Sequence, residues 1–346
     1  MNRRKFLTST GVALTALPTA LRAADAAAKS RIRVGFLGAT YSHAVDKLKY
    51  TLASSDWELV GVWDESDAGR ETSRKLGARL VSQGEVLDRS EVVFVESDIR
   101  DHAKHALLAL RAGRHVHVEK PPATTLAEMH EIVSLARGRK LLLQTGYMWR
   151  HHPGFNAIIE AARQGWFGDV FMVRGHIANN LAVSRRPEWA EFKGGGMFEQ
   201  GSHLLDVMVR LLGRPKNVTP FTRHHGSFAD KLNDNNVAVL EFDRSLAVLT
   251  NSTMQSTPTP ARSFEVLGTN GSAVLQPIEP PELKFEFAKA AGPYVAGVQT
   301  VPMKYRRYEG DFVEFVAALR GGRAFAVDLD TELLVQETLL RACGMM

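Results

Sequence analysis

Arg31-Ile-Arg-Val-Gly-Phe-Leu-Gly38 opens the stretch that decides the fold: a short apolar run of β type that stops at a glycine. A helix-like stretch follows from His43 to about Ser54, and Glu58-Leu-Val-Gly-Val-Trp63 is a second apolar run, ending at Asp64-Glu65. Strand, turn, helix, strand is a βαβ unit. The alternation continues with a helix around Ala68 to Lys75, strands at Val92 to Val95 and His115 to Val118, a helix around His102 to Ala112 between them, and a further strand at Leu141 to Gln144. Strands alternating with helices predict a parallel sheet with helices on both faces, a Rossmann-type α/β domain over residues 30–150.

Such a sheet binds ligands at the carboxyl ends of its strands. The first turn, Gly38-Ala39-Thr40-Tyr41-Ser42-His43, keeps only the first glycine of the dinucleotide-binding G-x-G-x-x-G pattern, and Thr40 and His43 stand where the others would be. A plain strand-to-helix turn reads equally well from the loop alone. Two features favour a dinucleotide. Asp64 ends the second strand, where an acid can hold the adenosine ribose hydroxyls and disfavours a 2′-phosphate, so NAD is expected in preference to NADP. Thr40 and Ser42 can donate to phosphate oxygens near a helix N-terminus. Asp64 also reads as a helix cap or surface acid.

Three further motifs carry a resemblance. Ala112-Gly-Arg-His-Val-His-Val-Glu-Lys-Pro-Pro122 contains Glu119-Lys120-Pro121 at the end of a strand. Gly194-Gly-Gly-Met-Phe-Glu-Gln-Gly-Ser-His203-Leu-Leu-Asp206 is a glycine run, an acid, a histidine four residues on, then an aspartate. Ser263-Phe-Glu-Val-Leu-Gly-Thr-Asn-Gly-Ser-Ala-Val-Leu275 reads as a hairpin. In order and spacing these resemble the glucose–fructose oxidoreductase / inositol dehydrogenase (Gfo/Idh/MocA) superfamily over most of the chain. The resemblance implies an NAD(P)-dependent oxidoreductase, with Lys120, Glu199 and His203 as catalytic residues. It implies Gly38, Thr40, Ser42, His43, Asp64, Ser97, Glu119 and Lys120 around the cofactor. The departures are the depleted glycine turn, Glu199 where the family usually has Asp, and Val95-Glu96-Ser97-Asp98 where a strand usually ends in Thr-Pro.

The residue types suit hydride transfer from a secondary alcohol, which needs a group to take the hydroxyl proton. A partly desolvated Lys120 loses basicity, and a protonated one polarises the substrate oxygen; a salt-bridged structural lysine is the plain alternative. Glu199 and His203 are four apart. On a helix from Phe198 to Leu212 they would share a face, with the carboxylate fixing the imidazole tautomer and raising its pKa. Otherwise they are a capping acid and a core histidine, and Asp206 reads as structural. Gln144-Thr-Gly-Tyr147-Met-Trp149-Arg150-His151-His152-Pro153 marks the crossover to the second half, with Tyr147 and Arg150 as candidate substrate-binding residues. Arg185, Arg186, Trp189 and Lys193 form a weaker donor-rich loop. His115, His117 and Glu119 alternate as any half-polar strand does, and no metal is expected.

The second half, residues 151–346, reads as an α+β domain for substrate binding and oligomerisation. It has a helix from about Phe155, strands at Asp169 to Ile177, Val237 to Phe242, Leu246 to Ser252, Ser263 to Leu267 and Ala273 to Leu275, and closing helices at Gly310 to Leu319 and Asp330 to Ala342. This is an open, mainly antiparallel sheet with helices on one side. In the family its outer face often makes a dimer contact, so a homo-oligomer is expected.

A chain of 346 residues with net charge +5 and scattered cations fits two cores and argues against nucleic acid. The single cysteine, Cys343, excludes an intramolecular disulfide and a cysteine-ligated zinc site. Residues 1–28 read as a signal peptide. Asn2-Arg3-Arg4-Lys5-Phe6-Leu7 precedes a short apolar stretch to Leu21, and an Ala24-Asp25-Ala26 site follows. The arginine pair resembles the twin-arginine class, which implies the twin-arginine translocase as partner and a periplasmic destination for a folded, cofactor-loaded protein. The expected function is oxidation of a secondary alcohol of a sugar, sugar derivative or cyclitol. The alternatives are an NAD-dependent glycoside-cleaving enzyme of the same superfamily with transient internal redox, and a non-catalytic sugar-binding protein.

Overall fold

The computed structural model describes residues 30–346, and residues 31–346 form one compact unit. The signal peptide expected at residues 1–28 lies outside the described residues.

The first half is a five-stranded, all-parallel sheet in the order β2-β1-β3-β4-β5. Its strands are β1 (Ile32–Leu37), β2 (Trp57–Trp63), β3 (Val92–Val95), β4 (His115–Val118) and β5 (Leu143–Thr145). Its helices are α1 (Ala44–Ala53), α2 (Asp67–Lys75), α3 (Gln83–Arg89), α4 (His102–Arg111) and α5 (Leu126–Gly138). β3 is buried at every position, as a strand covered on both faces must be. On one face Val93, Val95, Val116 and Val118 pack under α3, α4 and α5; on the other Val34, Phe36 and Phe94 pack under α1. The helix starts are written locally: Ser66 accepts from Gly69 N–H at the head of α2, and Thr125 with Glu128 forms a capping box at α5. β1 is flanked by β2 on one side and β3 on the other, so the sheet opens a crevice at their carboxyl ends.

A 3₁₀ turn at Met148–His151 leads into α6 (Pro153–Arg163) and β6 (Val170–Ala178). α7 (Arg186–Ala190), a π-turn at Met197–Gly201 and α8 (Ser202–Leu212) follow. The chain continues as β7 (Asn217–Arg223), β8 (Asn235–Glu241), β9 (Leu246–Ser252), the single turn α9 (Pro258–Ala261), β10 (Ser263–Gly268), β11 (Gly271–Leu275), β12 (Leu283–Phe287) and β13 (Gly297–Val301). The eight strands form one sheet, β13-β12-β11-β10-β6-β9-β8-β7, antiparallel except for the β6–β9 pair. In β8 and β9 every second residue is buried, the period of a sheet with one covered face. The covering helices are α6 and α8, whose Phe155, Ile158, Leu204 and Met208 join Val173, Leu249 and Phe264 in the largest core.

The two closing helices, expected with the second sheet, divide their contacts. α10 (Glu309–Leu319) sets Phe312 and Phe315 on the first sheet beside Trp57 and Phe94, the Phe94–Phe312 centroids lying 4.9 Å apart. α11 (Leu329–Ala342) lies against both α5 and α8. The chain therefore returns to its first half after completing its second. α3, α5, α7, α9, β7, β12 and β13 are additions to the elements expected from sequence.

Candidate active site

At the crevice, Gly38 has φ +90°, and a Cβ there would come within 2.4 Å of the Ser97 backbone, so the ends of β1 and β3 meet only because this residue is glycine. Asp64 ties the turn to the end of β2. One carboxylate oxygen accepts from Ala39 N–H (2.7 Å); the other accepts from Ser66 N–H (2.7 Å) and Ser66 Oγ (2.6 Å). A carboxylate has about four acceptor positions, so about one remains for a ligand hydroxyl. Gly38, Thr40, Asp64, Ser66 and Ser97 line one groove. Ser97 Oγ bonds His105 Nδ1 at 2.8 Å, and burial pulls His105 down to about 4, which keeps the ring neutral. Glu65, Asp98 and Asp101 border the same groove and oppose an added phosphate. α1 has ten residues and no side-chain cap, leaving its first N–H groups free of a side-chain acceptor. This cradle fits the dinucleotide that the sequence implies.

A second cavity lies between the two halves and is lined by Ser42, His43, Lys120, Glu199 and His203 among others. Lys120 Nζ donates to the Glu199 carbonyl (2.7 Å) and to Glu199 Oε1 (2.8 Å), and Tyr41 Oη donates to the same carboxylate oxygen (3.1 Å). Glu199 lies in the π-turn, a local widening of the helix common at functional sites. Lys120 and Tyr41 hold the Glu199 carboxylate below its ordinary range against the opposing effect of burial.

His203 differs from expectation. Glu199 faces Lys120 and Tyr41 and makes no hydrogen bond to the imidazole. Burial, with the charge of Lys120, pushes His203 well below the usual imidazole range, where a paired acid was expected to raise it. Its ring sits 5.1 Å from Trp149 and 6.2 Å from His43, and Nδ1 is buried without a partner. The result is a neutral imidazole beside a lysine–carboxylate pair.

Behind this cavity lies a group that sequence reasoning missed. Lys47, on α1, is completely buried, and its ammonium contacts Glu96 (2.9 Å), His117 Nε2 (2.6 Å) and Glu119. Its three N–H donors thus have three acceptors. Of the alternating set on β4, His117 and Glu119 converge with Glu96 on this ammonium, while His115 accepts from Leu142 N–H at 2.9 Å. The unexpected Glu96 is explained by the same contact. One cation serves two acids: Lys47 and His43 hold Glu119 well below the carboxylate range, while burial pushes Glu96 up to about 8. Glu119 was expected at the cofactor. Instead it is fully buried, accepting from Lys47, from the Lys120 N–H (3.0 Å) and pairing with His43 Nδ1 (3.1 Å), so it positions His43 and Lys120 from behind. A signal was present: Ala44, Lys47, Leu48 and Thr51 form the buried stripe of α1, and a lysine at helical core spacing asks for a buried acid.

Tyr147 and Arg150 do not reach the cavity. Arg150 directs four N–H groups to Asp206 (3.0 and 2.7 Å) and Glu332 (2.6 and 2.8 Å), a buried clamp between the crossover, α8 and α11. Tyr147 is 1% exposed, with the Arg150 guanidinium 4.8 Å from its ring centre. Asp206 is structural, as expected. Of the donor-rich loop, Arg185 and Trp189 line the cavity, while Arg186 is buried on Asp230 and Asp234. The cavity also takes in Trp149 of the crossover motif, and Asn179, Gln200, Arg262 and Arg307, which the motifs do not single out. Asn179 Oδ1, Trp189 Nε1 and Gln200 Oε1 are buried without partners. A largely polar wall with unpartnered donors and acceptors suits a ligand rich in hydroxyls.

Two family models match the chain. One, described as an oxidoreductase family with an NAD-binding Rossmann fold, covers residues 32–147. The other, described as the GFO/IDH/MocA C-terminal domain, covers residues 155–274. Trans-1,2-dihydrobenzene-1,2-diol dehydrogenase of Bos taurus is 32% identical over 143 residues, 40% of this chain and 42% of that enzyme. D-glucoside 3-dehydrogenase of Escherichia coli is 30% identical over 204 residues, 55% of this chain and 57% of that enzyme. The chain spans about half the length of the curated relatives it matches. The structure of UDP-N-acetylglucosamine 3-dehydrogenase from Acidithiobacillus ferrooxidans superposes with a TM-score of 0.76 at 20% identity, covering 91% of this chain and 97% of that one, a likeness of fold.

Proposed function

Because the chain belongs to the GFO/IDH/MocA oxidoreductase family, we propose that it oxidises a secondary alcohol of a sugar, sugar derivative or cyclitol with NAD as the hydride acceptor. The observation that carries this reading is the meeting of Lys120, Glu199 and a neutral His203 in one cavity. Lys120 Nζ has three N–H donors and gives two to Glu199, so the third is available to a substrate oxygen. His203, kept neutral by burial, is able to accept the hydroxyl proton. Glu199 and Tyr41 hold the lysine in place. Gly38, Thr40, Asp64 and Ser97 would hold the dinucleotide, with Asp64 on the adenosine ribose, and when bound its nicotinamide supplies the hydride acceptor. The acids around Asp64 support NAD over NADP. The curated relatives are named as dehydrogenases of a dihydrodiol and of a glucoside, both bearing secondary alcohols. The export reading is part of this proposal: a twin-arginine leader at residues 1–28 would deliver the folded, NAD-loaded protein to the periplasm.

Calorimetry and single-turnover absorbance test the reading. NAD should bind more tightly than NADP, and Asp64→Ala should weaken NAD binding while the melting temperature stays close to the parent's. NAD-loaded protein mixed with a panel of sugars and cyclitols should form reduced nicotinamide with at least one of them. Equal NAD affinity in Asp64→Ala would remove the ribose assignment, and binding of sugars with no nicotinamide reduction would favour the non-catalytic alternative.

A further inference from the structure

Among the described residues that line the cavity, each lysine or arginine pairs with a carboxylate except one. Lys120 has Glu199 at 2.8 Å, Arg185 has Glu188 at 3.2 Å, and Arg307 pairs with Glu279. Arg262 has no carboxylate partner there. Its Nε donates to the Ala178 carbonyl at 3.0 Å, which fixes the guanidinium plane and leaves the two terminal amino groups for the cavity. Burial works against this charge, Glu279 offsets part of that effect, and the neighbouring Arg307 adds to it. A guanidinium does not escape by deprotonating, so a partly buried one lacking a counter-ion is a standing electrostatic cost that an anionic ligand would relieve. Arg262 lines the same cavity as Lys120, Glu199 and His203.

We infer that the natural substrate is an anionic polyol, a sugar or cyclitol derivative whose carboxylate or phosphate ion-pairs with Arg262 while a neighbouring secondary hydroxyl meets Lys120 and His203. This rests on the function proposed above and names the substrate class of the same site. A guanidinium offers two parallel N–H donors that match either anion, and such charge-assisted bonds are among the stronger polar contacts. The unpartnered Asn179 Oδ1 and Gln200 Oε1 then accept from the remaining hydroxyls.

The test uses the full chain loaded with NADH and matched sets of probes: hexoses, the corresponding hexuronates, and the corresponding hexose 6-phosphates, with binding measured by calorimetry. An anionic member should bind about 10–100-fold more tightly than its neutral counterpart, and whether the uronates or the phosphates gain identifies the anion. In Arg262→Met that ratio should fall to near one, while Arg262→Lys should keep part of it. NADH affinity and the melting curve of each variant establish that it is folded. If Arg262→Met does not fold, the parent's anion preference and its loss at high salt carry the test. Neutral sugars binding as well as anionic ones, or an anion preference that survives in folded Arg262→Met, would overturn the inference and leave the proposed function standing. NADH binding with no affinity for any member of the three sets would overturn both.

Discussion

Lys120 and His203 come from different halves of the chain and line one cavity, Lys120 just beyond β4 and His203 in the first turn of α8. The geometry gives them unlike roles. Lys120, fixed by Glu199, presents a donor; His203, depressed by burial, presents an acceptor. Lys120→Met and His203→Ala should each lower the single-turnover rate by about 10²–10⁴-fold, the usual range for positioned proton-transfer groups. The double variant should cost much less than the product, because groups acting on one event are not additive. NAD affinity should survive in His203→Ala. The depressed imidazole also sets a sign in the pH profile. His203 works while neutral and takes up a proton only well below the ordinary imidazole range, so kcat/KM should hold through pH 6.5, near the unperturbed value, and fall only at more acid pH. A parent-like rate in His203→Ala would return the residue to a purely packing role. At this scale the sequence was readable where a motif spans few positions: Lys120, Glu199 and His203 do line one cavity. That Glu199 would turn to Lys120 and Tyr41 and away from His203 was not readable, because spacing by four puts two side chains on one helical face but does not say which neighbour each will choose.

α1 shows what an element does that its sequence only half discloses. The helix, its boundaries and its place after the first glycine all follow from apolar spacing, yet Lys47 in its buried stripe reads as an ordinary helical lysine until the acids of β3 and β4 are seen around it. One helix thereby fastens two strand ends, and through Glu119 it sets His43 and the backbone of Lys120. Removing the cation leaves two buried acids facing each other. Lys47→Met should therefore destabilise the protein by about 3–5 kcal/mol, the range for breaking a desolvated ion pair. Adding Glu96→Gln should change this little, because burial pushes Glu96 up to about 8 and keeps it largely protonated near pH 7, so the lost partner is that of Glu119. Denaturant midpoints of the two variants measure both effects. A single-variant cost under about 1 kcal/mol, the size of an exposed pair, would show that water reaches the cluster. The same logic explains Arg150. Its position at the crossover suggested a ligand donor, but Asp206 on α8 and Glu332 on α11 converge on it from elements far apart in sequence, and such convergence is a tertiary fact.

For the molecule as a whole, the division into a parallel sheet and a mainly antiparallel one was legible, because buried-run and alternating patterns distinguish the two. The return of α10 to the first sheet was not: an apolar stripe such as Phe312 and Phe315 states that a helix is covered, not by which layer. That return bears on export. The first core is completed by residues beyond 309, and α11 is clamped through Glu332 to the crossover at Arg150 and to α8. The first core therefore reaches its full packing only once α10 is in place, and α11 ties the crossover to α8. A chain built this way is poorly suited to crossing a membrane unfolded and then finding NAD in a compartment without a free pool. The twin-arginine route proposed above, which carries folded proteins, would remove that difficulty, with Arg3-Arg4 followed by Lys-Phe-Leu as its address. In the double variant Arg3→Lys, Arg4→Lys the full-length precursor should accumulate in the cytoplasm, folded and holding NAD, while the parent appears in the periplasm as a shorter, processed form. Cell fractionation with immunoblotting and intact-mass measurement decides it. Processing at the parent's level in the double variant would mean that the arginine pair is not the address. Processing that persists when the twin-arginine translocase is deleted would assign the leader to a different export path.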